Sequence, residues 1–499
     1  MSKLPRPLFD PSQLKGASIN YALAIFSALL LIMIFPNWNL VWLAPFTLTP
    51  LLLALSREPR PLHRFLLGYA AGLVYWFGVC HWIEFVLDVH GGMGHWGGWG
   101  TFALFLLYKS CHLGVFGLLA AIVIRHWYAI PAVAGLWTGI ERTHGDLAFA
   151  WLCLGNAGID MVLPMRLAPW IGVYGLSFLF ASMGTATAVI ILKRGRKELL
   201  WLVWIPVLLA LPALPQPQAG TEAAALVQPN VPEELDWTPE LARGLQQQLL
   251  RASLEQAKSS KPALIVWPEV PGPLYYYRDA EFRENVARLA RTSQSYLLFG
   301  TVANTTTGAP LNSAVVLTPE GELVDRYDKI NLVPFGEFVP KLFNFVNRIT
   351  QETGDFEQGQ RVVVFPMQGH RVGTFICYES AFPHAVRRFA QGGADLLVNI
   401  SNDGYFGHSA AREQHLELVR MRAAENRRWI LRDTNDGVTA AIDPAGRVMK
   451  RLPMYTATAG GFGYSYVQDT TFYTRHGDWF AWGRLLPGAM LPFCTQLPH

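Results

Sequence analysis

The chain has 499 residues, of which 51% are hydrophobic, 13% aromatic and only 16% charged, where an ordinary soluble domain carries about 25% charge. Part of it must therefore be solvated by lipid, and a formal net charge of +4 scattered through loops, with no basic stripe, excludes a nucleic-acid binder. The cysteines Cys80, Cys111, Cys153, Cys377 and Cys494 show no CxxC or Cys/His ligand spacing, which argues against a zinc site and a disulfide framework.

After a short basic stretch with Lys3, Arg6 and Lys15, apolar segments fall near 18–35, 38–55, 65–88, 100–124, 127–143, 167–192 and 199–214, each close to the roughly 20 residues that cross a bilayer. The first is not read as a cleavable leader, because the second comes at once with no small-x-small site between them. With the N-terminus cytoplasmic, the connections on that side carry Arg57, Arg60 and Arg64, then Arg125, then Lys193, Arg194, Arg196 and Lys197. The opposite short connections hold only Arg142 and Arg166. The excess of positive charge inside thus agrees with seven spans in 1–214 and puts the chain beyond residue 214 outside the cytoplasm. Glu84, Lys109 and Glu141 sit within these segments, where charge is costly; each is either interfacial or lines a lipid-access cavity.

Leu214-Pro215-Gln216-Pro217-Gln218 reads as a linker, and the composition then changes. Between 221 and 470, strands are expected at 223–227, 263–267, 296–300, 314–318, 362–365, 372–376, 395–400 and 438–442. Helices are expected near 238–258, 279–292, 383–391 and 410–426. That alternation makes one α/β domain with strands buried by helices. A last apolar segment near 477–494, with Asp478 and Arg484, returns the C-terminus to the cytoplasm. The expected architecture is an eight-helix membrane bundle with the α/β domain inserted between helices seven and eight. No internal repeat is visible, so the inverted-repeat pattern of many transporters is missing.

Three segments of the α/β domain put chemistry at the end of a strand. In Leu264-Ile265-Val266-Trp267-Pro268-Glu269 the apolar run stops at Pro268 and presents Glu269; the loop from Tyr327 carries Lys329 and Glu337; the run from Arg371 to Ile376 ends at Cys377, before Tyr378 and Glu379. Taken singly, Cys377 reads equally as a buried structural thiol, Glu269 as a first-turn residue and Lys329 as a solvated loop charge. Strand ends on one edge of a sheet converge, so together they form a candidate site. A thiol needs a base to take its proton, and a cation can offset charge collecting on an attacked carbonyl oxygen.

The ordered set Trp267-Pro268-Glu269, Lys329 with Val333-Pro334-Phe335-Gly336-Glu337, and Cys377-Tyr378-Glu379 resembles the nitrilase superfamily, whose Glu-Lys-Cys triad stands on an αββα sandwich. With seven spans before that domain and one after it, the whole chain is similar to the bacterial apolipoprotein N-acyltransferases. Val227-Gln228-Pro229-Asn230, Trp237, Asn312-Ser313 and 399–407 agree, although Pro229 stands where Gly is expected and Tyr405 where the family often has Trp. The resemblance implies a multi-pass protein of the bacterial inner membrane, with a periplasmic catalytic domain and both termini cytoplasmic. It implies a phospholipid acyl donor, preferably phosphatidylethanolamine, whose sn-1 chain passes through a Cys377 thioester to the α-amine of a diacylglyceryl-modified apolipoprotein. Glu269 would be the base, Lys329 the stabiliser of the tetrahedral intermediates and Glu337 its support. Tyr378 and Glu379 would shape the site around the nucleophile, Trp237 and Asn312 would bind substrate, and no metal or cofactor is implied. The run 335–349 is either an interfacial lid or a core helix. Two other readings stay open at this level: a membrane-anchored amidase that gives the thioester to water, and a transporter or receptor whose outer domain only binds ligand.

Overall fold

A computed structural model describes residues 11–482 apart from 148, 204, 234, 335 and 339–355. The expected lid at 335–349 and the segment 477–494 with Arg484 lie largely outside the described residues.

The N-terminal part is a helical bundle. Three of its helices, Gly16–Met33 within Pro11–Met33, Gly94–Val123 and Ala168–Ile191, are long and apolar enough to cross a membrane, and Pro61–Cys80 with Trp82–His90 makes a fourth if that pair, bent by 58°, is one span. The other expected spans take shorter forms. The segment 38–55 is a 3-10 turn Val41–Phe46 containing Pro45, followed by Thr49–Arg57 with a proline in its first turn. The segment 127–143 holds the 14-residue helix Ala129–Arg142, about 21 Å long at 1.5 Å per residue. The segment 199–214 is a 3-10 turn Arg196–Leu202 and the short helix Val207–Ala210.

Where lipid weakens the hydrophobic drive between helices, close packing replaces it. Gly68 and Gly72, one turn apart on Pro61–Cys80, meet Gly94–Val123 so closely that an added Cβ would lie 2.9 Å from the Leu113 carbonyl carbon and 3.0 Å from Ser110 Cα. Of the charged residues expected in the spans, Lys109 and Glu141 are buried inside the bundle. Lys109 Nζ donates to the Phe149 carbonyl at 2.8 Å, and Glu141 Oε1 accepts from Trp137 Nε1 at 2.8 Å and Leu154 N at 2.7 Å.

The C-terminal part is a sandwich of two six-stranded sheets. Its strands are β1 (Glu222–Gln228), β2 (Leu264–Val266), β3 (Tyr296–Asn304), β4 (Pro310–Leu317), β5 (Leu323–Asp328), β6 (Val364–Met367), β7 (His370–Ile376), β8 (Leu396–Ser401), β9 (Ile430–Thr434), β10 (Ala440–Ile442), β11 (Val448–Arg451) and β12 (Thr458–Tyr464). One sheet runs β12-β1-β2-β3-β4-β5 and the other β11-β10-β9-β8-β7-β6. Alternation along each strand explains why both faces are apolar. Leu226, Val266 and Leu298 turn inward to the same cluster as Ile376, Val398 and Ile400 of the second sheet. Their neighbours Val227, Ile265 and Leu297 turn outward under Leu245 and Leu249 of helix Pro239–Ser260 and Phe282 and Val286 of helix Ala280–Ser293. Helices Pro383–Gln391 and Ala411–Asn426 cover the second sheet. The result is a nitrilase-like α/β domain, as expected.

Bundle and sandwich share a continuous apolar core. Polar contacts fix their register: Trp151 Nε1 donates to Gln414 Oε1 at 2.7 Å, Val173 N to Glu425 Oε1 at 2.8 Å, and Ala150 N to the Tyr378 hydroxyl at 2.9 Å.

Candidate active site

The parallel strands β2, β7 and β8 all deliver their following residues, Glu269, Cys377 and Asn402, to one edge, which is where open α/β sheets place ligands. Pro268 ends β2, and its carbonyl accepts from Gly300 N at 3.2 Å. Gly300 must lack a side chain here: a Cβ would sit 2.6 Å from Val270 N and 2.8 Å from Glu269 Cα. Lys329 follows β5, its backbone N–H donating to the Asn312 carbonyl on β4 at 2.8 Å.

Four side chains, the buried Glu269, Lys329 and Asn312 and the half-buried Glu337, form one cluster. Lys329, 1% exposed, donates from Nζ to Glu269 Oε1 at 3.1 Å and to Glu337 Oε1 at 2.9 Å. Asn312 Nδ2 donates to the same two oxygens at 2.7 Å each. Glu269 Oε2 accepts from Asn402 N at 2.9 Å, and Glu337 Oε2 from Val333 N at 2.8 Å. Burial works against the Lys329 ammonium, but Glu269, Glu337 and then Cys377 outweigh it and hold it protonated well above the usual lysine range.

Cys377 is buried, and its backbone takes a left-handed φ of 49°, an unfavourable conformation for a residue with a Cβ and one that concentrates at functional sites. It is held from both sides. Glu379 Oε2 accepts from Ile376 N at 2.8 Å, while Oε1 accepts from the Tyr327 hydroxyl at 2.7 Å, Ile330 N at 2.9 Å and Asn331 N at 3.1 Å. On the other side His415 Nε2 lies 3.0 Å from the Cys377 carbonyl; a carbonyl only accepts, so Nε2 carries the proton. Burial pushes the thiol up, Glu269 adds to this, and Lys329 and a Ser401 hydrogen bond oppose it. A thiol held this way favours its protonated form, and any attack by it would need a base.

The structure thus brings Glu269, Lys329, Glu337 and Asn312 into direct contact, with Cys377 under the charge of the first two. Glu379 is a brace: it ties the residues after Lys329 to the strand that carries Cys377. Tyr378 points to the bundle, where its hydroxyl meets Ala150 and its ring stacks on Phe149 at 5.2 Å. Trp237, 36% exposed, lies over Gly272, outside the hydrogen-bonded cluster. Sequence reasoning did not single out Asn402 as a donor to Glu269, nor His415 and the buried Asp403 and Arg432 behind it, which pair at 2.7 Å. The stretch 399–407 was visible as a motif, but nothing in its spacing showed which group faces Glu269. Among the described residues Glu84, Asp88 and His95 bring candidate metal-ligand atoms within 4.8 Å of one another; they belong to the bundle and share no residue with the cluster.

The arrangement sets a carboxylate, a buried cation and a thiol side by side, the set of groups that covalent acyl chemistry can use. A carbon-nitrogen hydrolase family model matches residues 223–459, and an apolipoprotein N-acyltransferase N-terminal domain model matches residues 27–186. An apolipoprotein N-acyltransferase of Geobacter metallireducens is 30% identical over 95% of this chain and 94% of its own. One from Nitrosomonas europaea is 32% identical over 87% and 90%. Among solved structures, an amidase of the nitrilase superfamily from Nesterenkonia aligns with 54% of this chain and 99% of its own, at 18% identity and a TM-score of 0.40.

Proposed function

This chain belongs to the apolipoprotein N-acyltransferase family, and on that footing we propose that it moves the sn-1 acyl chain of phosphatidylethanolamine, through a thioester on Cys377, to the α-amine of an S-diacylglyceryl-cysteine at a lipoprotein's N-terminus. Glu269 takes the thiol proton as sulfur attacks the ester carbonyl. An ammonium has three N–H donors; two of those of Lys329 meet Glu269 and Glu337, and the third serves the oxyanion. Glu269 returns its proton to the leaving glycerol oxygen, and a lysophospholipid departs. The amine then attacks the thioester, Glu269 takes its proton, and the proton passes to the sulfur as the amide forms.

The observation that carries this reading is the buried Lys329 held between Glu269 and Glu337, with its charge acting on Cys377. A bundle fused to the nucleophile's own loop through Tyr378 and Ala150 suits substrates that never leave a lipid surface. We read the bundle as seven spans in 1–214 and an eighth at 477–494. The catalytic domain, 221–470, then faces the periplasm of an inner-membrane protein whose termini are both cytoplasmic.

The test is intact-protein mass spectrometry after incubation with phosphatidylethanolamine and no acceptor. The expected result is an added acyl chain that hydroxylamine removes and Cys377→Ala abolishes. Lysophospholipid release together with free fatty acid, and no adduct, would favour a hydrolase. No release at all would favour a binding protein.

A further inference from the structure

Glu233, in the loop between β1 and helix Pro239–Ser260, takes no part in the steps assigned to Glu269, Lys329 and Cys377, yet it is wired to them. Its Oε1 accepts from Asn435 Nδ2 at 3.2 Å. The loop after β8 closes on it so tightly that a Cβ on Gly404 would lie 2.6 Å from Oε1. Asn402 joins it to the site: the backbone N–H of Asn402 donates to Glu269 Oε2 at 2.9 Å, while its side chain favours the charged form of Glu233. Tyr405, 42% exposed, feels Glu233, Glu269, Glu337 and Lys329 together, and its ring lies 4.7 Å from His90 of the bundle. The two carboxylates are therefore linked through a single residue, Asn402.

The proton balance of the second half-reaction leaves a place for such a group. An α-amine has a pKa of about 8 and reaches a neutral site mostly as ammonium. Converting an ammonium and a thioester into an amide and a thiol releases one proton net. Glu269 only relays the second proton, from the attacking amine to the sulfur, so the first needs another acceptor. Resting on the acyl-transfer reading above, we propose that Glu233 binds the ammonium of the acceptor and takes its first proton, so that the neutral amine is formed inside the site. The C–N bond then forms as the C–S bond breaks, Glu269 carries the amine's second proton to sulfur, and Glu233 releases the first to solvent.

The surroundings fit that task. Burial pushes the Glu233 carboxyl up to about 7; Asn402 and Asn435 oppose the rise, and Asp436, itself bound to Arg412 at 2.7 Å, and Glu269 add to it. Tyr405 is a titratable group under its influence.

The experiment loads the full-length enzyme with phosphatidylethanolamine, isolates the acyl-enzyme and chases it with a synthetic S-diacylglyceryl-cysteinyl peptide at pH 6.5 and pH 9. An amine of pKa near 8 is only about 3% neutral at the lower pH and about 90% at the higher. The chase rate of Glu233→Gln relative to wild type is expected to be about 30-fold worse at pH 6.5 than at pH 9, with the loss on the chase rather than the loading. Glu233→Asp, which keeps a carboxylate, is expected to restore the wild-type profile. The wild type gives an independent reading, since its own chase rate should vary much less than 30-fold over that range. An equal deficit at both pH values, or a wild type that simply tracks the neutral fraction of amine, overturns the proposal. So does slower loading of Glu233→Gln from phosphatidylethanolamine but not from phosphatidylglycerol, which would make Glu233 a reader of the donor headgroup. A wild type that never forms the thioester would overturn the acyl-transfer reading itself.

Discussion

Asn312 is the neutral link of the cluster, and its removal tests whether the cluster acts as a unit. Its two amide N–H groups each reach a carboxylate oxygen at 2.7 Å, Glu269 on one side and Glu337 on the other. Hydrogen bonds to charged groups contribute about 1.5–3 kcal/mol each. In Asn312→Ala both are lost, but Glu269 keeps Lys329 and Asn402 N, and Glu337 keeps Lys329 and Val333 N. The loss should therefore sit at the low end, about 2 kcal/mol of transition-state stabilisation or roughly 30-fold in rate. Asn312→Asp should be slower still at pH 8, because it sets a third carboxylate against two others. Its rate should recover as the pH falls toward 6, since protonation removes the repulsion and restores one donor. The assay is single-turnover thioester formation followed by quenched intact mass. An Asn312→Ala rate within threefold of wild type, or an Asn312→Asp rate that does not rise on acidification, would refute the reasoning.

Two further outcomes come from the geometry. Because burial and then Glu269 raise the Cys377 thiol, its alkylation by iodoacetamide in the resting enzyme should still climb above pH 9 rather than level off near the ordinary thiol range; peptide mapping by mass reads this, and a plateau below pH 8 would contradict it. Glu379 uses its two oxygens to accept four donors, and Glu379→Gln replaces one oxygen with an amide that donates. At least one buried N–H then loses its partner, at a cost of about 1–3 kcal/mol. The midpoint of thermal unfolding should fall by several degrees, and an unchanged midpoint would show that the brace is not needed.

The sandwich was legible wherever burial obeys a simple rule. The apolar runs that became β1, β2, β3, β4, β7 and β8 are covered on both faces, and their abrupt polar ends marked Glu269 and Cys377. The strands that escaped notice do not look apolar. Leu323–Asp328 carries Asp325, Arg326 and Asp328; Thr458–Tyr464 is glycine-rich and reads as loop until it pairs with β1; and Ile430–Thr434 holds Arg432 and Asp433, fully buried. Such charges are tolerated inside only because a partner distant in sequence meets them, as Asp403 meets Arg432, and a linear pattern has no sign of that. Asn312 and Glu337 were visible as members of a motif, yet their shared hold on Lys329 appears only when β4 and the loop after β5 come together. In the bundle, hydropathy found the apolar segments but not their shapes, because prolines such as Pro45 and Pro206 break a run that remains apolar throughout.

The most direct measurement is the fate of the acyl group once it has left the lipid. Isolated wild-type acyl-enzyme, free of donor, is mixed with the S-diacylglyceryl-cysteinyl peptide, and peptide and free fatty acid are tracked by mass spectrometry. Loss of the thioester should match, mole for mole and in rate, the appearance of peptide acylated on its α-amine. Free fatty acid appearing at the same rate with or without peptide would contradict acyl transfer and leave a membrane-bound hydrolase in its place.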